Sequence, residues 1–342
     1  MKLGIELCHG FIRDPQEPLE ETLLRAKGMG AQGGQFKNPT FISATLDKGE
    51  LREAKETADH LGMYLAAGLG RINPYNTAEM PSFWELGDGS YKKGCEKIIE
   101  ASAILGSHHL VSQTGGYRGY TLPEPYSTDR FREDVSWENQ LEATVKFLKK
   151  LAPVLRHYGS TISIETHEEI TTWEILRVIE EVGEDVVSVT LDTGNIVSRG
   201  EEPIAATKRV APYIKLLHVK DVLLLESPEG LKRNVRPAGD GVLDFQTMAD
   251  IVREKNPEAL FNIEDHMGEM FISYKNPQWR AGHPDLKEEE IRELERLSRL
   301  SYEKIASGDI VPPEIYEKMK FDDLALGRME KALHYLSPII KG

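Results

Sequence analysis

Cysteine is nearly absent: the chain of 342 residues holds two, Cys8 and Cys95. Such sparse usage excludes a disulfide framework and points to a reducing compartment. Long apolar runs are also missing, and nothing approaches the ~18 consecutive apolar residues of a membrane-spanning helix. The N-terminus enters a strand-like run, Leu3 to Leu7, without the basic start and small-residue cleavage site of a secretory signal. The expected location is therefore the cytoplasm. Positive charge is in short supply, with 42 Lys and Arg against 56 Asp and Glu and a formal net charge of −14. No basic block interrupts this balance. An acidic surface repels nucleic acid and anionic membranes, which leaves a small neutral or metal-bridged substrate as the simpler expectation. There is no repeat at solenoid periods and no low-complexity tract.

What remains is the composition of a folded globular chain, 40% apolar and 29% charged. Short apolar runs at 3–8, 33–37, 63–69, 108–113, 160–166, 186–192, 214–219 and 259–264 predict strands. Amphipathic stretches between them predict helices near 17–30, 48–61, 91–105, 138–158, 171–182, 203–210 and 245–254, with another at 287–307. Repeated strand-then-helix order implies parallel strands with crossover helices. Eight units predict an α/β fold, a closed (β/α)8 TIM barrel, with a doubly wound open sheet as runner-up. Thr171 followed by Glu174 has the spacing of a capping box. Gly159 and Gly183 sit where helices should end. Two segments exceed a minimal barrel. One is the loop from Thr114 to Trp137 between the fourth strand and fourth helix, with the length of a lid. The other is everything after His266. Residues 1–266 are thus expected to form the barrel core and 267–342 a C-terminal extension with a last helix near 313–336, either packed on the barrel or serving as a subunit contact.

Acids and histidines fall at strand ends. Glu165, Asp192, His218 and Glu264 close the fifth to eighth runs, at the end that carries the active site in such barrels. Alternation agrees. Ile162 and Ile164 oppose Ser163, Glu165 and His167; Val187, Val189 and Leu191 oppose Ser188, Thr190 and Asp192; Phe261 and Ile263 oppose Asn262, Glu264 and His266. The apolar faces suit helices and the polar faces suit the barrel mouth. The seventh strand is less regular, because Lys215 falls on the helix-facing side. Three carboxylates and an imidazole make a mostly hard-oxygen set that favours Mn2+, Mg2+ or Co2+ over a cysteine-rich zinc site.

The segments Ile164-Glu165-Thr166-His167, Leu191-Asp192-Thr193-Gly194-Asn195, Leu217-His218-Val219-Lys220-Asp221, Arg236 to Gly241, and Asn262-Ile263-Glu264 resemble the xylose-isomerase-like barrel superfamily. That group includes sugar epimerases, inosose dehydratases and endonuclease IV, and the resemblance covers roughly residues 3–266. It implies one divalent metal, Mn2+ first and Mg2+, Co2+ or Zn2+ as options, on Glu165, Asp192, His218 and Glu264. The nuclease branch is set aside. Its three-zinc site needs a histidine where Asn195 stands, and an Asp-x-His beyond the seventh strand that is absent.

A metal chelated by neighbouring oxygens of a hydroxy-ketone acidifies the hydrogen between them and stabilises the enediolate. A base then removes the proton. Return of the proton to the same carbon is epimerisation, transfer to the next carbon is isomerisation, and loss of a β-substituent is elimination. In the epimerase branch Glu165 and Glu264 resemble the acid and base. The Glu165-x-His167 pattern resembles the larger subunit of C-glycoside deglycosidases, which implies His167 as base, a 3-keto-glycoside as substrate and β-elimination as the reaction. It also implies a small β-sandwich partner subunit and an oligomer. Ketose 3-epimerase, sugar isomerase and inosose dehydratase remain alternatives, as does a non-catalytic barrel subunit. Lys220, Arg236, His266 and Gln113 are the candidate substrate contacts. Glu6 and His9 sit at the first strand's mouth, and Trp84, Tyr117 and Tyr120 are aromatics able to stack on a sugar.

Overall fold

The computed structural model describes residues 1–7, 11, 17–116, 129–132 and 134–341. Eight parallel strands close a barrel: β1 (Lys2–Glu6), β2 (Gly33–Phe36), β3 (Tyr64–Arg71), β4 (His109–Gln113), β5 (Thr161–Glu165), β6 (Val187–Asp192), β7 (Ile214–Val219) and β10 (Leu260–Ile263), with β10 seated between β7 and β1. The open-sheet alternative is excluded by that closure. Between β7 and β10 the chain forms a hairpin, β8 (Asp221–Ser227) and β9 (Gly230–Arg236). With β11 (Glu269–Ile272) it makes a separate three-stranded antiparallel sheet. The hairpin turn needs Gly230, whose φ is 153° and whose added Cβ would meet Ile272 O at 2.2 Å.

The helices are α1 (Leu19–Gly28), α2 (Lys48–His60), α3 (Pro81–Leu86), α4 (Tyr91–Ile104), α5 (Trp137–Tyr158), α6 (Thr172–Val182), α7 (Pro203–Val210), α8 (Phe245–Lys255), α9 (Pro277–Ala281), α10 (Glu288–Ser307), α11 (Pro313–Tyr316) and α12 (Phe321–Lys341). Local chemistry sets several ends. Asp47, Ser90 and Ser136 accept backbone N–H groups at the starts of α2, α4 and α5. Thr171 and Glu174 form a complete capping box on α6, and Gly159 takes the left-handed conformation, φ 59°, after α5. The helix over Glu288–Ser307 is present, but it packs on β8 of the inserted sheet. The helix that covers β1 and β10 is α12. The bidentate, buried pair of Arg328 with Asp265 (2.5 and 2.6 Å) anchors it to the segment leaving β10. Among the described residues no helix is long and apolar enough to cross a membrane.

Strand alternation sorts the side chains into two layers. Ile5, Ile162, Ile164, Val187, Val189, Leu191, Leu217, Phe261 and Ile263 pack outward into the main core beneath the helices. Burying each contributes about 1.5–3 kcal/mol. Inside the barrel, Ala66, Val111 and Leu216 form a small apolar plug with Tyr64 and Leu260. On β7, Leu216 thus belongs to the inner face and Lys215 to the outer, where its ammonium reaches Asn256 Oδ1 at 3.2 Å. Beside the plug, Tyr64 Oη donates to Asn262 Oδ1 (2.6 Å), Asn262 Nδ2 to Gln35 Oε1 (3.0 Å), and Thr190 Oγ1 to Ser163 Oγ (2.9 Å).

Tyr64 fits because two neighbours lack side chains. A Cβ on Gly4 would lie 2.2 Å from its hydroxyl, and one on Gly33 2.2 Å from its ring. Gly33→Ala is expected to lower unfolding free energy by about 1–3 kcal/mol through overpacking, measured by urea denaturation. The same substitution in a Tyr64→Ala background should cost much less. Equal costs in both backgrounds would show that the ring is not the obstacle.

Candidate metal centre

Glu165 and Asp192 are the last residues of β5 and β6, His218 is the penultimate residue of β7, and Glu264 follows β10. Parallel register brings these ends level, with Asp192 opposite His218 and Asn262 opposite His218. One ligand atom from each of Glu165, Asp192, His218 and Glu264 lies within 4.8 Å of the others. The first three are buried and Glu264 is half-buried. His218 Nδ1 lies 3.2 Å from Glu165 Oε1 and 3.4 Å from Glu264 Oε2. Its other ring nitrogen is 2.7 Å from the Gln35 amide, which fixes the ring's orientation.

Each carboxylate is held from behind. Gln113 Nε2 donates to Glu165 Oε2 (2.8 Å), and the Gln113 carbonyl oxygen accepts from Arg71. Asp192 Oδ1 accepts the backbone N–H groups of Gly194 (3.0 Å) and Asn195 (2.9 Å), and Asn195 Nδ2 reaches Oδ2 (2.7 Å). The Lys220 ammonium, itself fully buried, meets Asp192 Oδ2 (2.8 Å), Glu264 Oε2 (2.5 Å) and His266 Nε2 (3.0 Å).

The charges here are in conflict. Burial, aided by repulsion from Glu264 and Glu165, pushes Asp192 up to about 7 despite the attraction of Lys220. Burial and Glu264 raise Glu6, at the end of β1, to about 7 as well. Burial works in the same direction on Glu264, but the Lys220 and His218 charges overcome it and hold that carboxyl well below the usual range. The centre therefore has more acid groups than its own cations neutralise. Three carboxylates and an imidazole of this arrangement fit one divalent cation.

A cavity of about 590 Å3 opens over Glu165, His218 and Glu264 of the quartet. His167 lines it, with Nδ1 2.6 Å from Glu169 Oε2. Glu169 Oε1 accepts Thr114 N (3.1 Å), Thr114 Oγ1 (2.8 Å) and Gly115 N (2.5 Å). Burial alone would raise this carboxyl, yet the His167 imidazole and the Thr114 hydrogen bond bring it down to about 2.

Among the other expected contacts, Gln113, Lys220 and His266 line the cavity, as does Glu6. Lys220 does not pair with Asp221, whose carboxylate instead accepts the N–H groups of Val222, Gly239, Gly241 and Leu243. His266 accepts from Lys220 while its Nδ1 meets Met267 O (3.1 Å). Burial and the Lys220 charge depress it to about 3, so it is neutral. Arg236 lies elsewhere: its guanidinium binds Asn234 Oδ1 and Val311 O and stacks 3.7 Å over the Tyr316 ring. The hairpin arginine in the cavity is Arg233, which is paired with Glu168 (2.6 Å) and also donates to Asn195. Trp84 is half-turned to solvent, with Nε1 on Thr77 O (3.2 Å), and does not line the cavity. His9, Tyr117, Tyr120 and most of the lid-length loop lie outside the described residues. Lys37, Arg71 and Arg233 went unnamed in the sequence reading, whereas a hydrogen bond from His167 to Glu168 or Glu169 was open there and is made to Glu169. Lys37 and Arg71 had a usable signal, a charge at the end of a strand.

The model of the xylose isomerase-like TIM barrel family matches residues 23–297. A stretch of 90 residues is 32% identical to the YihM protein of Escherichia coli (strain K12), spanning 26% of this chain and 28% of that protein's length. Inosose dehydratase of Lacticaseibacillus casei is 28% identical over 259 residues, 72% of this chain and 79% of the relative. The apo crystal structure of E. coli 3-keto-D-glucoside 4-epimerase, YcjR, superposes with a TM-score of 0.58 at 17% identity, covering 86% of this chain and 99% of that one.

Glu169 is ionised in the fold at a pH where an exposed carboxyl is already protonating. Its folded value of about 2 lies below the ordinary 4.5. Its contribution to stability is therefore complete above about pH 4.5 and is lost as the pH falls toward about 2. The stability gap between the natural protein and Glu169→Ala should narrow as the pH falls from about 4.5 toward about 2, followed by urea denaturation. A gap that widens over that interval would contradict this.

Proposed function

The chain belongs to the xylose isomerase-like TIM barrel family, and from that premise we propose that it is a metal-dependent enzyme that removes the proton beside a keto-sugar carbonyl, cleaving 3-keto-glycosides by β-elimination. The observation that carries this reading is that one cavity is lined both by Glu165, His218 and Glu264 of the quartet, with Asp192 buried beside them, and by an imidazole, His167, held by a buried carboxylate. When bound, a divalent cation supplies Lewis-acid polarisation of the substrate's carbonyl and neighbouring hydroxyl oxygens.

The protein's own groups do the proton work. Glu169 accepts the Nδ1 proton of His167 and so makes Nε2 the basic atom. That nitrogen takes the proton from the carbon next to the carbonyl, and the C–H electron pair moves toward the carbonyl oxygen. Lys220, held by Asp192, Glu264 and His266, supplies positive charge where that oxygen gains electrons. In elimination the pair returns to form a carbon–carbon double bond and expels the group on the next carbon. A second reading, epimerisation, draws on Glu165 and Glu264, which both line the cavity. Epimerisation needs two such groups flanking one carbon of the bound sugar, one taking the proton and the other returning it on the opposite face.

Calorimetric titration is expected to show one Mn2+ bound per chain, with Asp192→Asn and Glu264→Gln each weakening it by about tenfold or more. An unchanged affinity in both variants would remove the quartet as the metal site. Glu169→Gln places an amide N–H against Nδ1 and so favours the other imidazole tautomer. With His167→Asn, it should slow solvent-deuterium entry into a 3-keto-glycoside by about 10²–10⁴-fold, with Mn2+ affinity preserved. Exchange at the natural rate in His167→Asn would reject the base. Exchange without release of the glycosidic substituent would reject elimination in favour of epimerisation.

A further inference from the structure

The space at the barrel mouth is larger than one sugar ring requires. Cavities of roughly 300–1,000 Å3 suit ligands of drug size, and the cavity over Glu165, His218 and Glu264, about 590 Å3, adjoins a second chamber of about 350 Å3. Met267, Gly268 and Glu269 line both. The segment leaving β10 is thus the sill between them. On the far side stand Tyr316 at the end of α11, Met319 in the link that follows, and Phe321 at the start of α12. Met319 is 37% exposed and Phe321 half-buried. Two thioethers and two aromatic rings around a chamber next to a highly charged centre form a surface that water covers poorly and an apolar group covers well.

This wall is fixed in place. Tyr316 is buried under the Arg236 guanidinium, and Arg236 Nη1 also donates to Val311 O (2.8 Å), which ties the segment before α11 to β9. The polar groups of the chamber limit what it accepts. Glu269 and Glu317 both line it, and a single ammonium, Lys232, serves the two at 2.6 and 3.5 Å. With Glu269 and Glu317 matched by Lys232 and by the Arg236 guanidinium on Tyr316 and Asn234, the chamber holds, among the described residues, no surplus cation to receive a phosphate or carboxylate on the ligand.

We propose that the second chamber is the subsite for the substituent carried by the sugar ring, and that this substituent is neutral and aromatic or apolar. The proposal rests on the reading that the metal cavity takes a keto-sugar. It assigns to Met267, Met319 and Phe321 the selection of substrates, with no part in the proton transfer.

The test is calorimetric titration of the Mn2+-loaded full chain with phenyl and methyl 3-keto-β-glucosides. The phenyl compound is expected to bind about tenfold more tightly. Met319→Asp, at an exposed position that folding tolerates, and Phe321→Ala should each abolish that preference and leave the methyl compound's affinity unchanged. A p-carboxyphenyl compound should lose the advantage in the natural protein. Equal affinity for phenyl and methyl compounds, no measurable binding of the phenyl compound, or a preference that survives both substitutions would overturn the subsite. Deuterium exchange into the methyl compound reports on the chemistry separately. Exchange without a phenyl preference defeats the subsite alone, and a phenyl preference without exchange defeats the proposed reaction alone.

Discussion

A carboxylate taken out of water costs several kcal/mol unless a cation or hydrogen-bond donors take the solvent's place. The mouth of this barrel withdraws Glu6, Glu165, Asp192 and Glu264 together, and much of the surrounding architecture follows from that burden. Gln113 and Asn195 place amide donors behind Glu165 and Asp192. The loop after β6 turns two backbone N–H groups onto Asp192. Lys220 enters as a buried ammonium between Asp192 and Glu264. Even so, Asp192 and Glu6 remain near 7, well above ordinary carboxyls. A centre that its own residues leave short of positive charge is one that gains by holding a divalent ion.

The same economy explains the layering of the barrel. A parallel strand covered by helices on one side needs apolar residues there, and the quartet's strands supply them at alternate positions. The opposite positions face the barrel interior, where Ser163, Thr190, Asn262 and Gln35 satisfy one another in pairs. Through Gln35 this inner layer also reaches His218. The network that orients the imidazole is thus continuous with the one that seats Tyr64 above the plug.

How much of this was legible in the sequence depended on the range of the signal. Strand ends, the capping box at Thr171 and the helix stop at Gly159 are local, and the structure shows them where the spacing put them. The quartet was legible because period-2 alternation places an acid and its apolar neighbours on known faces. The hairpin β8–β9 was not, because its residues were taken for connection. Arg233 and Arg236 fall on opposite faces of β9, so nothing in the sequence said which face meets the barrel, and Arg236 was named for the position that Arg233 holds. Glu168 and Glu169 stood in plain view beside His167, but only the fold shows that one binds Arg233 and the other the imidazole. The helix at 287–307 was placed correctly along the chain, yet its partner is β8 and the barrel seam belongs to α12.

The seam has a consequence for how such a chain is made. β1 pairs with β10 along Lys2↔Leu260 to Ile5↔Ile263 and is covered by α12, and the Met1 amino group binds Pro257 O across 256 residues of sequence. On the ribosome β1 can meet β2 early, but its other edge has no neighbour until nearly the whole sheet has been synthesised. Until then the nascent sheet has two raw borders, at β1 and β7, of the kind that invites pairing with other chains. Closure of the ring is a late, long-range event, and the interval before it is when a chaperone has most to protect.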